Sequence, residues 1–125
     1  MKKFENKEAA FASVGFDPSK VEINGVPEQH VEAVKAFINL CVAHDAVNPE
    51  FNPDWENYDQ YKYSVYHEMG SPSGSGFSYD GYGRWDSRSF VGSRLSSESR
   101  EAGWHIAEIC HEDYKAMKVY DRKVK

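Results

Sequence analysis

The sequence predicts an α+β fold of three helices and a three-stranded antiparallel β-meander, in the order α-α-β-β-β-α. Three observations carry this. Apolar residues recur at helical spacing before Asn48 and again after Ser97, the period changes to two between Trp55 and Leu95, and no helix separates the strands. At 125 residues the chain suits a single domain over 1–125, with a helical part at about 4–48, a β-region at about 58–96 and a C-terminal helix at about 97–118.

The first helix runs from Phe4 to Val14 on Phe4, Ala10, Phe11 and Val14, and Gly15 is its stop. Phe16, Asp17 and Pro18 form a turn, and Lys20 to Gly25 is a brief extended segment or a loop. The second helix has Pro27 in its first position, Glu28 in its first turn and a stripe of Val31, Val34, Ile38, Cys41 and Val42. Pro49 and Pro53 forbid its continuation past Asn48.

In the first strand Tyr61, Tyr63, Val65, His67 and Met69 share one side, and Lys62, Ser64, Tyr66 and Glu68 the other. A low-complexity loop, Gly70 to Gly76, leads to Phe77–Trp85, where Gly81 and Gly83 mark a bulge or a close backbone approach. Ser89 to Ser96 makes the third strand, with Gly92 as a further bulge candidate. Ser96 or Ser97 caps the last helix, whose stripe is Ala102, Ile106, Ile109, Cys110, Tyr114 and Met117.

Net charge is -5 at pH 7, which favours neither nucleic acid nor an anionic membrane as a partner of the whole molecule. Lys115, Lys118, Arg122, Lys123 and Lys125 cluster near the C-terminus, where cations complement a helix dipole. Mean hydropathy is -0.72, but 14% of residues are aromatic, more than a solvated tail carries, so a folded core built on Tyr, Phe and Trp is expected. Cys41 and Cys110 fall among apolar helical residues and are read as buried free thiols. With no secretory leader and no apolar stretch long enough to span a bilayer, the expected location is cytoplasmic.

Four short segments are distinctive: Pro53-Asp54-Trp55, Tyr61-Lys62-Tyr63, Ser75-Gly76-Phe77 and Gly92-Ser93-Arg94-Leu95. With the sequence around them, covering most of 9–118, they resemble a group of small uncharacterised proteins of gut bacterial genomes, phages and other mobile elements. The resemblance implies a host-interaction or regulatory context and assigns no activity and no catalytic residue. The chain departs from that pattern at Ser96-Ser97, where an apolar or aromatic residue is expected after Leu95.

Three functional readings follow. The first is a small non-enzymatic interaction or accessory protein with a host protein as partner, binding through an aromatic and arginine sheet face of Tyr66, Tyr82, Arg84, Trp85, Arg88 and Arg94, with the Gly70 to Gly76 loop beside it. Tyr58, Lys62 and Phe90 add to the same region; the alternative is that helices cover both sheet faces. The second reading uses the same face to stack single-stranded bases. The third is a metal-dependent enzyme with His105, Glu108, His111 and Glu112 on the last helix and His44-Asp45 opposite; one Glu-x-x-His copy is a weak signal, and a solvated flank accounts for it as well.

No cofactor is implied. The Gly70 to Gly76 loop lacks the lysine and hydroxyl of a P-loop, and no nucleophile elbow is present. His67 and Glu68 point to opposite sides of a strand, so His67 is expected at a core edge and not as a general base. Arg94, if buried, requires a carboxylate such as Asp54 or Asp80. Oligomeric state is left open by all of these features.

Overall fold

The computed structural model describes residues 1–69, 77–85, 93–120 and 122, the side chains of 78–80 and 85 excepted. Helix α1 spans Lys7–Ser13, α2 Glu28–Val47, α3 Arg100–Ile109 and α4 His111–Lys118; strands β1, Lys62–Glu68, and β2, Ser78–Trp85, make a two-stranded antiparallel sheet. The expected three helices and three-stranded meander are therefore replaced, among the described residues, by four helices and two strands.

Each departure has a local cause. Helix α1 begins after Phe4 because the Asn6 side chain accepts the Ala9 N–H at 2.9 Å and sets the cap. It ends as the sequence suggests: Gly15 takes φ +70°, its N–H reaches the Ala12 carbonyl at 3.1 Å, and the Phe16 N–H reaches the Phe11 carbonyl at 3.0 Å. The Phe11 and Phe16 rings meet edge to face at 5.3 Å, completing a Schellman closure with its apolar contact. A short 3-10 turn, Pro18–Lys20, follows, its Ser19 N–H held by Asp17.

Helix α2 buries Ala36, Leu40, Ala43, His44, Ala46 and Val47, while the expected stripe of Val31, Val34, Ile38, Cys41 and Val42 is only half buried. Small residues dominate the buried side because α1, α3 and α4 all pack on this helix and require close approach. At its end Asn48, itself buried, donates to the His44 carbonyl at 3.0 Å and to Ser97 Oγ at 3.2 Å, and accepts the Glu98 N–H at 3.0 Å.

The third strand does not form in the described part of Ser89 to Ser96. Residues 93 and 94 lie in a turn, and Tyr63 and Ser97 exchange one pair of backbone hydrogen bonds, 3.1 and 2.8 Å, as an isolated bridge. Because Ser97 is held extended there, the cap of α3 moves on to Ser99, whose hydroxyl accepts the Ala102 N–H at 3.1 Å. The expected single C-terminal helix is broken at Cys110, which leaves helical geometry at φ -114°, ψ 30°. The Gly70 to Gly76 loop, Ser89 to Gly92, and the terminal Lys123 and Lys125 lie outside the described residues.

The core joins Phe11, Leu40, Val47, Val65, Leu95, Ile106, Cys110 and Tyr114, so helices, ribbon and turn meet in one cluster. Gly103 marks the closest approach of α3 to β1, since a Cβ there would lie 3.2 Å from Val65 Cγ2. Asp113, buried on α4, accepts Lys7 Nζ at 3.0 Å and Asn39 Nδ2 at 2.9 Å, tying α4 to α1 and α2. Among the described residues no helix is long and apolar enough to cross a membrane.

Candidate functional site

The ribbon register pairs Tyr63 with Arg84, Val65 with Tyr82, Ser64 with Gly83 and Tyr66 with Gly81. Directly opposed residues of an antiparallel pair share a face, so Tyr63, Val65, Tyr82 and Arg84 lie on one side and Ser64 and Tyr66 on the other. A shift between Tyr66 and His67 leaves Asp80 as the extra residue of a bulge next to Gly81.

This geometry divides the candidate face. Tyr82 lies half buried beneath α3, its ring 5.6 Å from Tyr63 and 5.9 Å, edge on, from Trp104. Arg84 is on the same side but exposed, its guanidinium 4.2 Å over the exposed Tyr61 ring. Tyr66, 52% exposed, is on the opposite side, and Gly81 offers no side chain to cover it. Trp85 pairs with Lys62 in the register, its side chain lying outside the described set together with Arg88 and Phe90. Tyr58 is 71% exposed in the turn that precedes β1.

Lys62 has no exposed surface at all. The turn over 54–57 folds back on it: Lys62 Nζ donates to the Asp54 carbonyl at 2.6 Å and the Asn57 carbonyl at 3.1 Å, and lies 5.1 Å from the Trp55 ring. Backbone carbonyls and an aromatic face thus solvate a buried ammonium. That turn is braced by Gln60, which accepts the Asp54 N–H at 2.6 Å and donates to the Asn52 carbonyl at 3.1 Å.

The histidines are engaged in packing. His67 is stacked on Phe77 at 4.5 Å and tilted against Tyr114 at 4.6 Å, and its Nδ1 accepts from Lys118 Nζ at 2.7 Å. Burial first, then the Lys118 and His111 charges, push its pKa down to about 4, so it is a neutral acceptor. His105 Nε2 accepts the Phe4 backbone N–H at 2.9 Å, and burial lowers its pKa. His111 packs against Phe77 at 5.5 Å, on the far side of the Cys110 break. The sequence cluster His105, Glu108, His111 and Glu112 is thereby split over two helices, and among the described residues no group of three such side chains could hold a metal ion.

A cleft of about 290 Å³ opens between the C-terminal half of α2, the loop after it and the turn before α3. Cys41, His44 and Asp45 supply its α2 wall, at a spacing that puts them on one helical face. Phe51, Pro53 and Trp55 supply an apolar wall, and Ser93, Arg94 and Ser96 close it. Arg94 is exposed and not buried, so the carboxylate partner that burial would demand is not required. His44 is buried, its Nδ1 donating to the Leu40 carbonyl at 2.7 Å, while burial holds its pKa at about 4.

Sequence reasoning named Arg94 but missed the cleft, using His44-Asp45 only as a second metal half; the 41, 44, 45 spacing was the available signal. It also missed Trp104, which flanks the apolar stripe of α3. No family model, no curated protein and no solved structure matches the chain. Its surfaces are accordingly read from their own chemistry.

Proposed function

We propose that the protein is a small non-enzymatic interaction protein that holds a carboxylate-bearing segment of a protein partner on Tyr61 and Arg84, with Tyr58 at the margin. The observation that carries this reading is the Arg84 guanidinium 4.2 Å over an exposed Tyr61 ring. Contact with the ring pre-orders the arginine, so less rotamer freedom is lost on binding, and a guanidinium held over a ring face can still use its N–H donors for bidentate pairing. Exposed Tyr and Arg are the residue types that dominate protein interfaces. In support, His44, His67 and Cys110 are withdrawn from proton-transfer or nucleophilic chemistry near neutral pH by burial. The resemblance to small phage and gut bacterial proteins adds the expectation that the partner is a host protein.

The test compares retention of partners from cell extract by wild type, Tyr61→Ala, Arg84→Ala and Tyr66→Ala. A partner held by wild type and Tyr66→Ala, and weakened about thirtyfold or more by either of the other two, supports the reading. Retention that ignores Tyr61 and Arg84 overturns it. Retention abolished by nuclease and falling steeply with salt would transfer the same pair to single-stranded nucleic acid, which the net charge of -5 opposes.

A further inference from the structure

The cleft beside α2 carries a separate inference, because among the described residues that line it the charged groups are few, opposite in sign and uncommitted. Asp45 and Arg94 are both exposed on its wall, and among the described residues neither makes an ion pair or a hydrogen bond. Both act on the Cys41 thiol on the same wall: burial raises its pKa most, Arg94 lowers it and Asp45 raises it. One thiol therefore lies within the field of one cation and one anion. His44 adds no positive charge near neutral pH, since its pKa is held at about 4. Asn48 is fully used by His44, Ser97 and Glu98.

These facts constrain the occupant. Among the described lining residues a dianion or a phosphate would meet one guanidinium with a carboxylate on the same cleft, and electrostatic repulsion from Asp45 would offset much of the attraction. A simple cation meets the reverse problem. A zwitterion satisfies both groups at once. The volume of about 290 Å³ falls just under the range of roughly 300–1,000 Å³ typical of sites for drug-sized ligands, so the occupant is small. Phe51, Pro53 and Trp55 offer it an apolar wall.

We propose that the cleft binds a free α-amino acid with an apolar side chain, its carboxylate on Arg94, its ammonium on Asp45 and its side chain against Phe51, Pro53 and Trp55. The carboxylate meets a planar donor fork, for which guanidinium is better suited than an ammonium group. The apolar wall supplies the burial that makes a small ligand's two ion pairs worth more than they are in open water.

The experiment is calorimetric titration of the full chain with leucine, phenylalanine, N-acetyl-leucine and leucinamide. Saturable binding of the free amino acids, weakened about tenfold or more in both blocked compounds, is expected, since each block removes one charge-assisted contact. Arg94→Gln should remove the preference for leucine over leucinamide, and Asp45→Asn the preference for leucine over N-acetyl-leucine. Both substitutions are at exposed side chains, and circular dichroism checks that the fold persists. As a second readout, bound leucine should slow maleimide labelling of Cys41. Absence of saturable binding at millimolar leucine and phenylalanine, equal binding of the blocked compounds, or wild-type behaviour of both variants overturns the proposal. None of these outcomes bears on Tyr61 and Arg84.

Discussion

His44 sits in the last turns of α2 with its Nδ1 on the Leu40 carbonyl and its Nε2 buried. Its pKa falls from 6.5 to about 4 on burial, and His67 behaves in the same direction. A folded-state pKa below the unfolded one means that the unfolded chain binds more protons between the two values. The histidine contribution is therefore complete above about pH 6.5 and is lost progressively as pH falls toward about 4. Denaturant midpoints measured from pH 7 to 5 should decline accordingly, and His44→Leu should flatten the decline by up to about 1.4 kcal/mol per pH unit. Asn48 supports a second expectation at this scale. Asn48→Ala strips the Glu98 N–H and Ser97 Oγ of their side-chain partner, while the His44 carbonyl keeps the backbone N–H of residue 48, and should cost on the order of 2 kcal/mol in equilibrium unfolding.

At the scale of elements, helix ends were the test of what the sequence discloses. Gly15 could be read as a stop, because a residue required at φ +70° is nearly always glycine; Gly15→Ala should cost about 1 kcal/mol, read from the same unfolding curves. The start of α3 could not be read, since Ser96, Ser97 and Ser99 are all competent caps. The choice among them is made by Tyr63, a residue distant in sequence, which holds Ser97 in a bridge. The described end of the expected third strand, 93–96, is not a strand for a related reason. Alternation in SFVGSRLS is compatible with a strand, but a strand also needs an edge to pair with, and among the described residues the free edge of β1 takes only Ser97. The buried side of α2 lies off its valine and isoleucine stripe because Ala36, Ala43 and Ala46, weak in hydropathy, mark the side where neighbours pack closely.

Across the whole molecule, Asp113 is the polar link among three helices, and Asp113→Ala should lower stability by about 2–3 kcal/mol, measured by chemical denaturation, because it strands Asn39 and Lys7 as well. Thiol chemistry offers an independent check of the packing. Cys110 is buried, with burial pushing its pKa up to about 12, whereas Cys41 is half buried in the cleft wall. Mass spectrometry after maleimide treatment of native protein should find Cys41 modified and Cys110 spared until denaturant is added. The amphipathic segments and the period change were legible because they are local. The cleft was not, because residues 41–55 and 93–96 come together only through the fold, and the candidate aromatic face was read as one surface because pleat alternation alone cannot reveal which rings the helices cover.

The turn over Lys62 has a use beyond its packing. An amine-acylating reagent meets this ammonium only after the carbonyls of Asp54 and Asn57 and the Trp55 ring have moved aside. The rate at which Lys62 is acylated, set against an exposed lysine in the same sample, thus times how often this buried ammonium is uncovered.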